Sequence, residues 1–211
     1  MFLSHHKYFP PLIANTFYHI YNRGNNGENL FYRPENYGYF LQRFDHYLSD
    51  YLKLYAFCLL PNHFHLLVKV ADADALPEEK RRLAPDTGQI TPPDRIISEQ
   101  FRRFFLGYSK SINAQEGRTG SLFAKPFKRK PVLSETYFTR LVYCIHANPA
   151  VHGIFDNFMK YPYSSYHRIL DPKLTKLRKQ EVLQWFGGRE SYLDFHLHGA
   201  ADGLADLRLE D

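Results

Sequence analysis

The sequence has few cysteines and lacks long apolar runs, and both features bear on where the protein is found. It contains two cysteines among 211 residues, too few for a disulfide framework, which favours a reducing cytoplasm. No apolar run approaches the roughly 18 residues of a membrane span, and polar residues interrupt the first seven positions before a signal-peptide core could form. Leu, Ile, Val and Phe make up 59 of the 211 residues, or 28%, above the roughly 20% typical of disordered chains. We therefore expect a folded cytoplasmic protein with no membrane partner.

Aromatic and basic residues are abundant instead. The chain has 18 Phe and 16 Tyr, and 27 Lys and Arg against 22 Asp and Glu give a formal net charge of +5. That charge alone is weak evidence for a polyanionic partner. Basic and aromatic side chains together permit single-strand binding, where a stacked base contributes about 1–3 kcal/mol. Most of the rings are nevertheless expected in the core.

The apolar periodicity predicts the order strand, helix, strand, strand, helix, strand. Alternation and helical spacing predict the following elements in turn: a strand over 17–22, a helix from 34 to about 51, strands over 54–60 and 63–70, a helix around 97–112, and an extended stretch within 121–133. The order is the ferredoxin-like βαββαβ pattern, an α+β fold with an antiparallel sheet and both helices on one face. Ser134 is the predicted N-cap of a last helix.

Two histidines and an asparagine are candidate metal ligands. His63 and His65 flank Phe64 in the third strand, so period-two geometry places both imidazoles on one face. Neutral imidazoles spaced in this way can chelate a divalent cation, although a hydrogen-bonded or surface pair is the commoner explanation. Asn148, in the last helix, has a carbonyl oxygen to offer. At 100° per residue Cys144 lies only 40° from Asn148 and about 6 Å along the axis, whereas Tyr143 lies about 140° round.

Several motifs occur together. They are Tyr18-His19-Ile20-Tyr21-Asn22-Arg23-Gly24, Pro61-Asn62-His63-Phe64-His65-Leu66, Gly120-Ser121-Leu122-Phe123, Ile145-His146-Ala147-Asn148-Pro149 with His152-Gly153, and Tyr161-Pro162-Tyr163-Ser164-Ser165-Tyr166. In combination they resemble the REP-associated tyrosine transposases, which belong to the HUH superfamily of single-strand DNA transposases. The resemblance spans about residues 15–190.

The resemblance implies a catalytic domain over residues 1–154 that binds hairpins and cleaves single-stranded DNA. Within it, residues 71–95 are expected to be a mobile loop or an insertion. Residues 155–211 are expected to form a C-terminal helical appendage whose last dozen residues fray. Both a monomer and a homodimer remain open.

The resemblance also implies a chemistry. His63, His65 and Asn148 would hold Mg²⁺ or Mn²⁺, which polarises the scissile phosphate, and a helix tyrosine would attack it to give a 5′-phosphotyrosine and a free 3′-OH. The resemblance places that tyrosine four residues before the metal-binding polar residue. Here that position is Cys144, and Tyr143 stands one residue early.

Three interpretations of this departure stay open. Cys144 is an inactivating replacement that leaves a hairpin-binding protein, or Tyr143 serves after a local helix distortion, or the Cys144 thiolate attacks. The leading hypothesis is a metal-dependent single-strand endonuclease or transposase, and the alternative is a catalytically silent hairpin-binding relative. A third possibility is a structural Zn²⁺ site made by His63, His65 and a cysteine.

Basic residues supply candidate DNA contacts. Lys125, Lys128, Arg129 and Lys130 are predicted to follow the phosphates, or else to form a solvated charged surface. Further candidates are Arg23, Arg102 and Arg103. If about five such groups meet single-stranded phosphates, the log–log salt slope should be near −3.5.

Overall fold

The computed structural model describes residues 10–72 and 92–199. The helices and strands in chain order are β1 (Phe17–Arg23), α1 (Pro34–Leu48), β2 (Leu52–Leu60), β3 (His63–Val70), α2 (Pro93–Gln115), β4 (Lys128–Val132), α3 (Glu135–Val151), α4 (Tyr166–Leu170), α5 (Lys179–Trp185) and α6 (Arg189–His198). The predicted mixture of helices with an antiparallel sheet is confirmed. The four strands lie in the order β2-β3-β1-β4.

The register of β1 determines which side chains share a face. β1 pairs antiparallel with β3 and with β4, so that Tyr21 lies opposite His65 and also opposite Lys128. Arg23 lies opposite His63. Because directly opposed residues point to the same side of a sheet, these five side chains share one face.

Helices cover both faces of the sheet. The Phe64 ring lies 5.0 Å from Phe40 of α1 and 6.1 Å from Phe105 of α2 between ring centres, so α1 and α2 share one face, as predicted. We call this the α1/α2 face. On the other side, Phe138 of α3 lies 5.1 Å from Phe17 of β1, and we call this the α3 face.

α3 begins where its N-cap signal predicts. The Ser134 hydroxyl oxygen accepts a hydrogen bond from the Tyr137 backbone N–H at 3.2 Å, which satisfies one of the amide groups that the first helical turn leaves without a partner. The helix then runs to Val151 and delivers Asn148 in its last turn.

The C-terminal segment is attached to the sheet. The Leu59 N–H donates to the Tyr163 carbonyl and the Ser165 N–H donates to the Phe57 carbonyl, both at 2.9 Å, so residues 163–165 lie along the outer edge of β2. Side chains of α5 and α6 such as Tyr192 belong to the same apolar cluster as the strands. The division at residue 154 stays a prediction, and the last dozen residues, 200–211, which are predicted to fray, lie outside the described residues.

The predicted ends of α1 and of the loop after β3 are wrong. α1 ends at Leu48 rather than near Tyr51, because the chain turns there to enter β2 at Leu52. The predicted loop over 71–95 is too long at its end, because Pro93 supplies the first turn of α2.

Residues 73–91 lie outside the described ranges. Each helix within those ranges is too short or too polar to cross a bilayer.

Candidate metal and nucleic-acid site

The three predicted ligand side chains meet on the α3 face. His63 and His65 alternate with Phe64 along β3, and their ring centres are 5.4 Å apart. The last turn of α3 places the Asn148 side-chain oxygen Oδ1 3.4 Å from Nε2 of His63. All three residues are buried, with exposed fractions of 7%, 1% and 3%. The structure therefore brings the residues of the set that the family resemblance implies onto one face.

The neighbouring Asn62 determines which nitrogen of His63 carries hydrogen. Asn62 Oδ1 lies 2.7 Å from Nδ1 of His63, while Nδ2 of Asn62 is directed to the Gly27 carbonyl at 3.5 Å. An amide oxygen only accepts hydrogen bonds, so Nδ1 of His63 is the donor. In the neutral ring, which is the form that binds metal, Nε2 of His63 is then an acceptor and faces another acceptor, Oδ1 of Asn148.

Two acceptors at this separation fit a shared cation. Ligand atoms about 2.1 Å from one cation lie about 3.0 Å apart at an angle of 90° and about 3.4 Å apart at a tetrahedral angle. The distance of 3.4 Å between His63 Nε2 and Asn148 Oδ1 falls at the upper end of that interval. The amide oxygen suits Mg²⁺ or Mn²⁺, whereas imidazole nitrogens suit transition metals, so the mixed set fits Mn²⁺ better than Mg²⁺.

His65 is neutral and hydrogen-bonded to a second buried histidine. Nδ1 of His65 lies 3.0 Å from Nε2 of His19 on β1. Burial lowers the pKa of His65 well below its ordinary value. Burial, together with the positive charge of Lys130, lowers the pKa of His19 to about 3. Neutral imidazole is the form that binds metal.

The zinc hypothesis finds no support in the described residues. Cys58 of β2 lies opposite His65, and its thiol is buried. Within residues 10–72 and 92–199, no three His, Cys, Asp or Glu side chains are grouped to hold a metal ion. The candidate set therefore depends on the amide of Asn148.

Neither candidate nucleophile has an activated environment. The Tyr143 side chain is 2% exposed, and its ring contacts Phe158 and Phe195 edge-on with ring centres 5.8 and 6.1 Å away. Burial raises the pKa of Tyr143. Cys144, one residue on, is 6% exposed, and burial raises the pKa of its thiol to about 11 despite the opposing charge of Arg140.

Strand alternation divides the predicted basic cluster. Lys128 and Lys130 lie opposite Tyr21 and His19, on the α3 face, and Nζ of Lys128 is 5.5 Å from the centre of the Tyr21 ring. Arg129 points to the α1/α2 face, where Nη1 lies 3.4 Å from the Ser98 hydroxyl of α2. Burial lowers the pKa of its guanidinium. Two of these three consecutive residues therefore share a face with the candidate ligands.

The other basic candidates divide in the same way. Arg23 is exposed and lies opposite His63, beside the ligand set. Arg102 and Arg103 lie on α2 and pair with Glu99 at 2.7 and 2.9 Å. Lys125 and Arg102 line a separate cavity of about 500 Å³ between α2 and residues 120–127.

Sequence reasoning did not identify His19, Tyr21 and His152 as components of the site. His19 stacks on Tyr21 with ring centres 4.7 Å apart and contacts His65. The His152 ring lies 4.8 Å from that of His63. The two-residue spacing of His19 and Tyr21, in a strand expected beside β3, is the signal that could have identified the first two.

Comparisons with known proteins confirm the resemblance suggested by the motifs. No protein-family model matches the chain. Over 113 residues the chain is 27% identical to a curated protein of Haemophilus influenzae described as a REP-associated tyrosine transposase; the match covers 54% of this chain and 58% of that relative. A solved structure described as a REP-associated tyrosine transposase bound to a REP hairpin aligns with a TM-score of 0.52 at 18% identity, covering 77% of this chain and 84% of the other. This second likeness shows a shared fold.

Proposed function

We propose that this protein binds hairpin-bearing, single-stranded DNA and positions one phosphate at a Mg²⁺ or Mn²⁺ site made by His63, His65 and Asn148. The observation that carries the proposal is the pair of acceptors, His63 Nε2 and Asn148 Oδ1, facing each other at 3.4 Å. A bound divalent cation supplies Lewis-acid polarisation of a phosphate oxygen.

The chain's own residues account for the rest of the proposed DNA site. Arg23, Lys128 and Lys130 share the α3 face with the ligand set and would pair with neighbouring phosphates. DNA is proposed as the ligand because of two similar proteins. One sequence relative is described as a transposase, and a protein of the same fold has been solved with a hairpin.

The geometry favours DNA binding without cleavage by the natural sequence. Tyr143 is held among Phe158 and Phe195, and the thiol of Cys144 stays protonated at neutral pH because its pKa is raised to about 11. An attacking group needs its proton removed or its charge stabilised. The position four residues before Asn148 therefore carries an unreactive side chain.

The second candidate is strand cleavage and transfer, favoured by the contact between His63 and Asn148 beside α3. In that reaction the Tyr143 hydroxyl loses its proton as its oxygen forms a bond to phosphorus, the bond between phosphorus and the 3′ oxygen breaks, and the leaving 3′ oxygen takes up a proton to give a free 3′-OH. Tyr143 would have to leave its contacts with Phe158 and Phe195 to reach the phosphate.

One experiment separates the two candidates. The protein is mixed with a hairpin oligonucleotide taken from inverted repeats beside its own gene, with Mn²⁺ or with EDTA, and examined on native and denaturing gels. We expect Mn²⁺-dependent retardation on the native gel and no covalent adduct on the denaturing gel. A Cys144→Tyr variant should form the adduct, and Cys144→Phe, a ring of similar size without the hydroxyl, should not.

Other outcomes have defined meanings. An adduct in the natural protein that disappears in Tyr143→Phe would establish the second candidate. Hairpin binding that is unaffected by EDTA and by His63→Ala would contradict the cation site.

A further inference from the structure

His19 is a buried histidine on the α3 face that the candidate ligand set does not include. It is 2% exposed, and its Nε2 lies 3.0 Å from Nδ1 of His65. The two ring planes are inclined by only 19°, which suits an in-plane hydrogen bond between the two nitrogens. One hydrogen must therefore lie between His19 and His65, and either ring could supply it.

The choice of donor decides whether His65 can bind a cation. If His19 donates, the hydrogen of neutral His65 is on Nε2, and that nitrogen has no lone pair for a metal. If His65 donates from Nδ1, its Nε2 is an acceptor. Only the second arrangement makes His65 equivalent to His63, whose Nδ1 donates to Asn62 Oδ1.

We infer that His19 is a positioning residue: it accepts a hydrogen bond from Nδ1–H of His65 and so keeps Nε2 of His65 as an acceptor for the cation. Hydrogen-bond partners of metal-binding histidines commonly fix both the tautomer and the ring orientation. Asn62 and His19 then do the same for His63 and His65. The role in cation binding rests on the proposed function, whereas the tautomer of His65 is a property of the metal-free protein.

The environment of His19 keeps its ring neutral, the form in which one ring nitrogen can accept a hydrogen bond. Lys130 lies opposite it on β4, and that positive charge, with burial, disfavours the protonated imidazolium. Stacking on Tyr21 at 4.7 Å restricts the rotation of the His19 ring. A neutral, fixed ring presents one nitrogen to His65.

The first test measures the tautomer directly. Long-range ¹H–¹⁵N correlation spectra of the ¹⁵N-labelled, metal-free protein distinguish protonated from unprotonated ring nitrogens. We expect His65 to be protonated at Nδ1 and unprotonated at Nε2. The opposite pattern would overturn the inference.

The second test removes the acceptor. His19→Leu lacks it, whereas His19→Gln keeps an amide oxygen near the position of Nε2. Mn²⁺ binding is measured from the free Mn²⁺ signal in electron paramagnetic resonance. The dissociation constant of His19→Leu should be 10–100-fold larger than that of the natural protein, and that of His19→Gln should be close to the natural value. Tyr18→Phe is the matched control. Tyr18 precedes His19 in β1, its side chain points to the opposite face, and the substitution removes the part-buried hydrogen bond from its hydroxyl to the Pro11 carbonyl. This variant should bind Mn²⁺ normally.

The outcomes separate this inference from the proposed function. Unchanged Mn²⁺ affinity in a folded His19→Leu variant would overturn the positioning role. If that variant does not fold, the spectra of the natural protein and of His19→Gln decide. A natural protein that shows the expected tautomer but binds no Mn²⁺ would contradict the proposed function and leave the hydrogen-bond assignment supported.

Discussion

The two faces of the sheet bury different kinds of side chain from the same strand. On the α1/α2 face, β3 presents Phe64, which is fully buried among aromatic rings. On the α3 face the adjacent His63 and His65 are almost as deeply buried, although burying a polar group is unfavourable unless it is hydrogen-bonded. Burial alone therefore does not separate core from site; the partners of the buried groups do.

Two buried histidine pairs lie on the α3 side of the described structure, and they differ in the partners of their remaining ring nitrogens. His146 and His196 are joined at 2.9 Å, and their remaining nitrogens meet the Ser165 hydroxyl at 2.7 Å and the Tyr192 carbonyl at 2.8 Å. That network is closed by protein groups and joins α3 to α6. The His19–His65 pair instead continues to the acceptors of His63 and Asn148, so it adjoins a place for a ligand.

The largest expected effects come from substituting one β3 residue on each face and comparing stability with Mn²⁺ affinity. Phe64→Ala should lower the free energy of unfolding by about 3–5 kcal/mol, because it leaves a cavity in the aromatic core, while the folded variant keeps its Mn²⁺ affinity. His65→Leu should abolish Mn²⁺ binding. Urea denaturation and Mn²⁺ titration of both variants measure these effects. A folded Phe64→Ala that had lost Mn²⁺ binding would show that the two faces are not independent.

The next effect concerns the closed histidine pair. Burial lowers the pKa of His196 from 6.5 to about 4, so between these pH values the unfolded chain binds a proton that the folded chain does not. The contribution of His196 to the free energy of unfolding is therefore full above pH 6.5. It declines as the pH falls towards 4, by up to about 3 kcal/mol.

Urea denaturation between pH 7.5 and 4.5 measures that decline. His196→Leu should be less stable than the natural protein at pH 7.5 but should lose less stability on acidification. Parallel curves for the two proteins would mean that His196 is not the group responsible.

The smallest effect tests the alternation along β4. Lys128→Ala and Lys130→Ala should each reduce the log–log salt slope of hairpin binding by about 0.7, the value for one single-strand phosphate contact. Arg129→Ala should leave the slope unchanged, because its guanidinium lies beneath α2. Fluorescence anisotropy at several salt concentrations measures the three slopes. Equal slope changes for all three would contradict the assignment of faces.

Local pattern was enough to predict the parts of the site that lie within one element. Alternation predicts β3 over 63–70 and places His63 and His65 on one face, and Ser134 marks the start of α3. That Asn148 would meet them came from the family resemblance, and the structure shows the two groups in contact. Their role as ligands stays a prediction.

The rest depended on contacts between distant segments. The bond from His19 to His65 needs the register of β1 on β3, and the packing of Tyr143 needs α6, fifty residues later in the chain. The basic cluster was treated as one group because its strand was predicted only as an extended stretch. Period two along β4 separates Arg129 from its neighbours.

The borders of the sheet have a consequence for self-association. The outer edge of β2 is occupied over Phe57 and Leu59 by the backbone of residues 163–165. The opposite border is β4, only five residues long, with three basic side chains and a proline that has no N–H to offer. Charge, proline and short length are the devices by which edge strands resist pairing with another molecule. Concentrated native protein should therefore resist fibril formation through sheet extension, and aggregation on heating should begin from unfolded chains.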